Sequence, residues 1–283
     1  MRYHYRLLNV FAHTTFGGNP LCVFEDGRGL DEQTMQTIAR QFNLSETTFL
    51  FPPESADADA LMRIFTVGYE MRFAGHPTLG TAHVLRSLRG GEVQRLQCKA
   101  GIVPVLAQGD LWTLTAPSQG APQTRPEALP LAHIAAMLGI AQGDIVSQPT
   151  WVDTGTDQLL IQLANADAVR RAQPTSLDQW PQSSLARRTT YLFAYDGEGR
   201  ILARYFFALQ GGGVAEDPGT GSACANLGGW LLANDYVLPQ RWQIAQGEAV
   251  QRPCFLHLEV NQERQIKVGG QVLELGRGYL DLP

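Results

Sequence analysis

Apolar residues along this chain fall mostly into short runs with a period of two, as strands require, and only a few stretches repeat at helical spacing. "RYHYRLLNVF" and "LCVF" read as strands joined by the turn "TTFGGNP". Residues 31–43 read as a helix. Asp31 can cap it, Leu30 and Met35 stand at staple spacing, and Met35, Ile38, Ala39 and Phe42 make one apolar stripe. "ETTFLF" and "ALMRIFTV" are strands again, and "HPTLGTAHVLRSL" reads as a helix with Pro77 in its first turn. "VQRLQCKA", "GIVPVLAQ" and "LWTLTAP" form a meander that turns at Gly101 and at Gly109-Asp110. Residues 117–130 are polar and proline-rich and are the best linker candidate. Leu131, Ile134, Ala135 and Leu138 mark a helix stopped by Gly139. "TDQLLIQL", "TTYLFAY" and "RILARYFFAL" follow as strands, the last two turned by Asp196 to Gly199. "RWQIAQ" and "CFLHLEV" close the second half, and "IKVGGQVLEL" reads as a final hairpin.

The order repeats. Arg63 opens "RIFTVGYEMRFAGHPTLGTAHVLRSL" and Arg204 opens "RYFFALQGGGVAEDPGTGSACANLGGWLL". Each is a strand, a connection, a small-residue turn with a proline, and a helix followed by more strands. Two copies of one β-rich unit, each built around a helix, is the simplest account.

Composition narrows the classes. The 283 residues suffice for two compact domains, and 44% hydrophobic with 17% charged residues fits an ordered globular protein. A net charge of −5 gives no electrostatic reason to expect nucleic acid or an anionic membrane as partner. No apolar run approaches the roughly 20 residues of a membrane span. The N-terminal stretch lacks the unbroken apolar core of a signal peptide, so the expected compartment is the cytoplasm. Cys22, Cys98, Cys224 and Cys254 are far apart and form no CxxC pair, which argues against a zinc site or a disulfide framework. The histidines include no HxxxH or HExxH pair, so no metal is expected.

Two helix starts carry candidate chemistry. In "FAGHPTLGTAHVL", Gly75 permits a tight backbone, small residues keep the helix thin, and His76 stands at an end whose free N–H groups favour an anion. In "EDPGTGSAC", Asp217 precedes a turn at which Thr220, Gly221 and Ser222 offer N–H and hydroxyl donors. A pseudo-twofold relation would face the two starts across one cleft suited to a small carboxylated molecule. Asp217 can equally be a cap, and His76 a structural histidine. "GTGSAC" is neither a Walker loop nor a dinucleotide fingerprint. Cys224 has no base assigned to it. Ser45-Glu46, between a helix and an apolar strand, is either a solvated strand end or a carboxyl group whose proton affinity an apolar cleft raises.

Taken together, "FGGNPLCVF", "LSETTFL", "RIFT…E…FAGHPTLGTAHVL" and "EDPGTGSA", in this order, resemble the phenazine-biosynthesis PhzF-like family within the diaminopimelate epimerase-like fold. The resemblance implies an α+β protein of two pseudo-symmetric domains, each a β-barrel-like sheet wrapped around a central helix, with the active site in the cleft between them. It implies that the last strands swap back, so that 1–116 plus 269–283 form one domain and 117–268 the other. It implies a homodimer and a cofactor- and metal-independent isomerase that moves a proton on a small carboxylated metabolite. Glu46 matches the proton-transferring glutamate of the family. His76 and Asp217 match residues that orient the substrate and assist proton movement, and Ser45, Gly75, Gly221 and Ser222 fall where its polar groups are held. The related epimerases use a cysteine at each helix start. Ala74 and Asp217 stand at those places here, which disfavours the alternative of a thiol-based racemase or epimerase. A non-catalytic small-anion binding protein is the reading from a different class. Two departures from the family pattern, Val67-Gly68 after "RIFT" and the glycines at 211–213, are expected to reshape the pocket.

Overall fold

The computed structural model describes residues 1–116, 121–174, 180–209 and 211–282. The chain separates into two compact units, residues 1–117 with 267–283 and residues 118–266.

The first unit is a closed barrel around a helix. Its elements are β1 (Arg2–Val10), β2 (Asn19–Phe24), α1 (Glu32–Phe42), β3 (Glu46–Phe51), β4 (Ala60–Phe65), β5 (Glu70–Met71), α2 (Gly75–Arg89), β6 (Val93–Cys98), β7 (Gly101–Gln108) and β8 (Leu111–Thr115). β1 pairs antiparallel with β2, β2 runs parallel to β3 across α1, and β3 pairs antiparallel with β4. β4 carries the short β5 and runs parallel to β6 across α2, and β6, β7 and β8 follow as a meander. The chain's last strand, Ile266–Asp281, pairs with β8 on one edge and β1 on the other, which closes the ring.

That last strand corrects an expectation. "IKVGGQVLEL" is not a hairpin but part of one strand of 16 residues. Its glycine pair serves a close approach instead of a turn: a Cβ on Gly269 would lie 2.7 Å from the Trp112 carbonyl oxygen of β8.

Helix α1 forms where the stripe predicts. Asp31 accepts a hydrogen bond from the Thr34 N–H, and Asn43, left-handed at φ 51°, ends the helix. Helix α2 is buried on nearly every side, from Gly75 through Leu85, and packs against β1, β2, β3, β4, β6, β7 and β8. Its small residues permit this: a Cβ on Gly80 would sit 2.5 Å from Leu21 Cδ2. Burial of Leu79 and Val84 stabilises the barrel by roughly 1.5–3 kcal/mol each.

The second unit repeats this pairing order. It holds β9 (Gln123–Pro126), α3 (Leu131–Leu138), β10 (Thr150–Asp153), β11 (Asp157–Gln162), α4 (Ala166–Arg171), β12 (Thr189–Tyr195), β13 (Arg200–Ala208), β14 (Val214–Asp217), α5 (Gly221–Ala233), β15 (Gln240–Gln246) and β16 (Cys254–Val260). β10 pairs antiparallel with β11, β11 runs parallel to β12 across α4, and β12 pairs antiparallel with β13. β13 carries β14 and runs parallel to β15 across α5, and β15 pairs antiparallel with β16. Helix α5 is buried along almost all its length and contacts β9, β10, β11 and β16.

Part of the expected linker is therefore structure: residues 123–126 form β9 and pair with β10, while residues 117–120 lie outside the described residues. Helix α4 was not anticipated. Six residues show too little periodicity, although Asn165 caps it by accepting from the Ala168 N–H.

The repeat extends to side chains. Arg63 makes two parallel hydrogen bonds to Glu70, at 2.8 and 2.6 Å, with its guanidinium over Phe65. Arg204 does the same with Glu216, at 3.1 and 2.7 Å, over Phe206. In both hairpins the phenylalanine pairs in register with the glutamate, so one half-buried clamp holds each short strand that leads to a central helix. Among the described residues no helix is long and apolar enough to cross a membrane.

Candidate active site

In the first unit, Asn43 stops α1 and the chain enters β3 with Glu46 as its first residue. Parallel pairing sets Glu46 beside Leu21, the same residue against which Gly80 of α2 packs. A buried hydroxyl pair, Thr48 Oγ1 to Thr81 Oγ1 at 2.8 Å, ties β3 to α2 a second time. These contacts bring His76, in the first turn of α2, against Glu46: Nε2 lies 3.3 Å from Oε2, with side chains 5% and 14% exposed.

The separation would suit an ion pair, but the environment decides against one. Burial pushes the His76 pKa down to about 3, and the hydrogen bond to the Pro20 carbonyl opposes this only in part. The ring is neutral at pH 7. Its Nε2 makes no hydrogen bond, so the N–H that donates to Pro20 is Nδ1–H, and Nε2 presents a lone pair to the carboxyl group. A lone pair facing a carboxylate oxygen is repulsive. A proton taken up by the Glu46 carboxyl group would be held between Oε2 and Nε2, an arrangement able to store and release it. Ser45 is exposed beside this pair, and Gly75 is buried at the helix start. The side chain of Ala74 cannot cap α2, so the N-cap residue leaves its first N–H groups to other partners.

In the second unit, Asp217 ends β14 and pairs in register with Tyr205. The Thr220 hydroxyl donates to Asp217 Oδ2. Gln246, a buried residue at the end of β15, holds this turn from behind. Its Nε2 donates to the Asp217 carbonyl at 2.8 Å and to Thr220 Oγ1 at 3.0 Å, and its Oε1 accepts from the Thr220 N–H at 3.2 Å. Gly221 opens α5, again with no side-chain cap, and half-buried Ser222 follows.

The structure thus joins Glu46 to His76 and gathers Asp217, Thr220, Gly221 and Ser222 at one helix start, each set within its own unit. Val67-Gly68 and the glycines at 211–213 occupy corresponding places, the tips of the β4–β5 and β13–β14 hairpins. Sequence reasoning missed Gln246, Gln158 and Asn226, all buried amides; the only signal was a polar residue at an apolar position of a strand or helix. Cys224 is fully buried and burial pushes its thiol far up, so it offers no thiolate. No cluster of metal-ligating side chains occurs among the described residues.

Comparison with known proteins agrees with this anatomy. The model of a family described as phenazine biosynthesis-like protein matches residues 8–276. This chain belongs to that family. An uncharacterized isomerase of Pasteurella multocida is 42% identical, covering 99% of this chain and 95% of that protein. The trans-2,3-dihydro-3-hydroxyanthranilate isomerase of Pseudomonas chlororaphis is 31% identical, covering 99% and 100%. A solved hydroxyproline epimerase of Agrobacterium vitis, 12% identical, matches with a TM-score of 0.65 over 99% of this chain and 92% of its own. The fold is the diaminopimelate epimerase-like one, an α+β architecture of barrels wound on helices.

Proposed function

We propose that this protein is an isomerase that takes a proton from one carbon of a small carboxylated metabolite and returns it at another, with Glu46 carrying the proton. The observation behind this reading is the 3.3 Å contact between a neutral, buried His76 and the Glu46 carboxyl group. Glu46 as carboxylate removes the substrate proton. The resulting O–H is held by the His76 Nε2 lone pair and is redelivered as the carboxylate re-forms. Asp217, fixed by Thr220 and Gln246, is the group that orients a polar part of a ligand at the start of α5, where backbone N–H groups favour an anion.

Register supports a single proton carrier. Thr47–Phe65–Glu70 and Thr190–Phe206–Glu216 are corresponding rows, which makes Thr189 the counterpart of Glu46 in the second unit. Threonine is no general base at neutral pH. Ala74 and Asp217 stand where the related epimerases carry their two cysteines, so neither thiol of a two-thiol racemase is in place.

The test uses trans-2,3-dihydro-3-hydroxyanthranilate in deuterated water. Wild-type protein should isomerise it and introduce deuterium, and Glu46→Gln should lose turnover by about 10²- to 10⁴-fold while keeping its circular dichroism spectrum. Undiminished turnover in Glu46→Gln removes the role of Glu46. A wild-type protein that neither isomerises nor labels this compound removes the substrate assignment.

A further inference from the structure

Behind Ser222 lies a chain of buried amides whose orientation is set from one end. Thr154 follows β10, and both its backbone N–H and its hydroxyl contact one atom of the Asn226 amide, at 2.9 and 2.7 Å. A backbone N–H can only donate, so that atom is Oδ1. Nδ2 then faces the Thr156 carbonyl and Gln158 Oε1, both at 2.8 Å. With its oxygen committed to Asn226, Gln158 turns Nε2 toward Ser222 Oγ at 3.0 Å and the Tyr205 hydroxyl at 3.3 Å. An amide nitrogen can only donate, so Ser222 Oγ must accept. Asn226 and Gln158 are both buried, so water is not available to either amide as an alternative partner.

Ser222 has one proton, and this wiring forbids giving it to Gln158. Ser222 is half-buried where its neighbours on α5 are buried, which makes it the residue of the α5 first turn open to a ligand. We propose that Thr154, Asn226 and Gln158 form a polarity relay that keeps the Ser222 proton for the ligand, so that this position donates to an acceptor oxygen of the substrate, a carboxylate in the reading above. Gln158 is the positioning residue of the relay. The inference rests on the proposed substrate class, and it adds the residues that choose its polarity. The backbone N–H groups of the first turn of α5 have the same donor character, so the hydroxyl and the helix start favour the same kind of group.

Gln158→Glu tests it. The variant keeps the shape and still accepts from Asn226, but it presents only acceptor oxygens to Ser222, whose hydroxyl must then donate inward and leave lone pairs toward the ligand. The probes are anthranilate and 2-aminobenzamide, which differ only in carboxylate against amide, with binding read by calorimetry. Gln158→Glu should weaken anthranilate at least about tenfold and narrow the preference for anthranilate over the amide. Ser222→Ala should weaken anthranilate as well, and adding Gln158→Glu to it should change nothing further, because the relay acts only through the Ser222 hydroxyl. Gln158→Met, which carries no buried charge, should show a smaller loss that also vanishes in the Ser222→Ala background. Losses that persist undiminished in that background, no loss in either Gln158 variant, or wild-type protein that does not bind anthranilate would each overturn the relay. If wild type binds anthranilate with a non-additive cycle yet turns over no trans-2,3-dihydro-3-hydroxyanthranilate, the isomerase reading fails and the relay stands.

Discussion

Acidification from pH 7 to pH 5 should destabilise the protein through one ring. His76 is buried, and its pKa in the folded chain is about 3 against an ordinary 6.5. The folded-state value is depressed, so between the two values the unfolded chain binds a proton that the folded chain excludes. The contribution is fully present above pH 6.5 and declines as the pH falls toward 3. At pH 5 the drop below the unfolded pKa is about 1.5 units, which at about 1.36 kcal/mol per unit is a loss of roughly 2 kcal/mol. Gln at this position keeps an N–H for the Pro20 carbonyl but does not titrate. Urea unfolding of wild type and His76→Gln at both pH values reads the ring together with the Glu46 carboxyl group in contact with it, since the more distant titrating groups are common to the two proteins. Wild type should lose about 2 kcal/mol more than His76→Gln between pH 7 and 5, which for an m-value of about 2 kcal/mol per molar moves the midpoint by about 1 M. Equal losses in the two proteins would mean that the ring is solvated or charged when folded, and the neutral Nε2 acceptor would have to be abandoned.

Three further outcomes follow from the packing. Gly247 is left-handed at φ +83°, and a Cβ there would collide with the Arg252 carbonyl oxygen and lie 2.5 Å from that of Pro218. Gly247→Ala should therefore cost about 2 kcal/mol or more and lower the melting temperature; an unchanged melting temperature would show that the turn is loose. All four cysteines are buried, and burial pushes the thiols of Cys22, Cys224 and Cys254 far up, so a disulfide reagent should label native protein slowly and unfolded protein fast. Turnover should survive Cys224→Ala; a loss beyond about tenfold would restore a thiol to the chemistry.

The apolar periods along the chain were enough for most elements. Asp31 and Asn43 bound α1 through capping chemistry that operates within one turn, and Gly139 ends α3 in the same way. The alignment of Arg63 with Arg204 was likewise legible, and it marks matching strands whose glutamate partners complete matching clamps. The errors arose where a local signal has two meanings. Gly269-Gly270 has turn composition, yet it lies inside a strand because Trp112 of a neighbouring strand leaves no room for a Cβ. Residues 123–126 have linker composition, yet they find a partner in β10.

The candidate site divides along the same line. Glu46, His76, Asp217 and Ser222 stand out in the sequence as polar groups beside tight turns or strand starts, and the resemblance to a known family singled them out from structural readings. Their chemistry was not readable there. The neutral state of His76, its contact with Glu46, the hold of Gln246 on Asp217 and the wiring of Gln158 to Ser222 all join residues far apart in sequence. Protonation and hydrogen-bond polarity depend on burial and on what lies within about 3 Å, and only the packed barrels determine either.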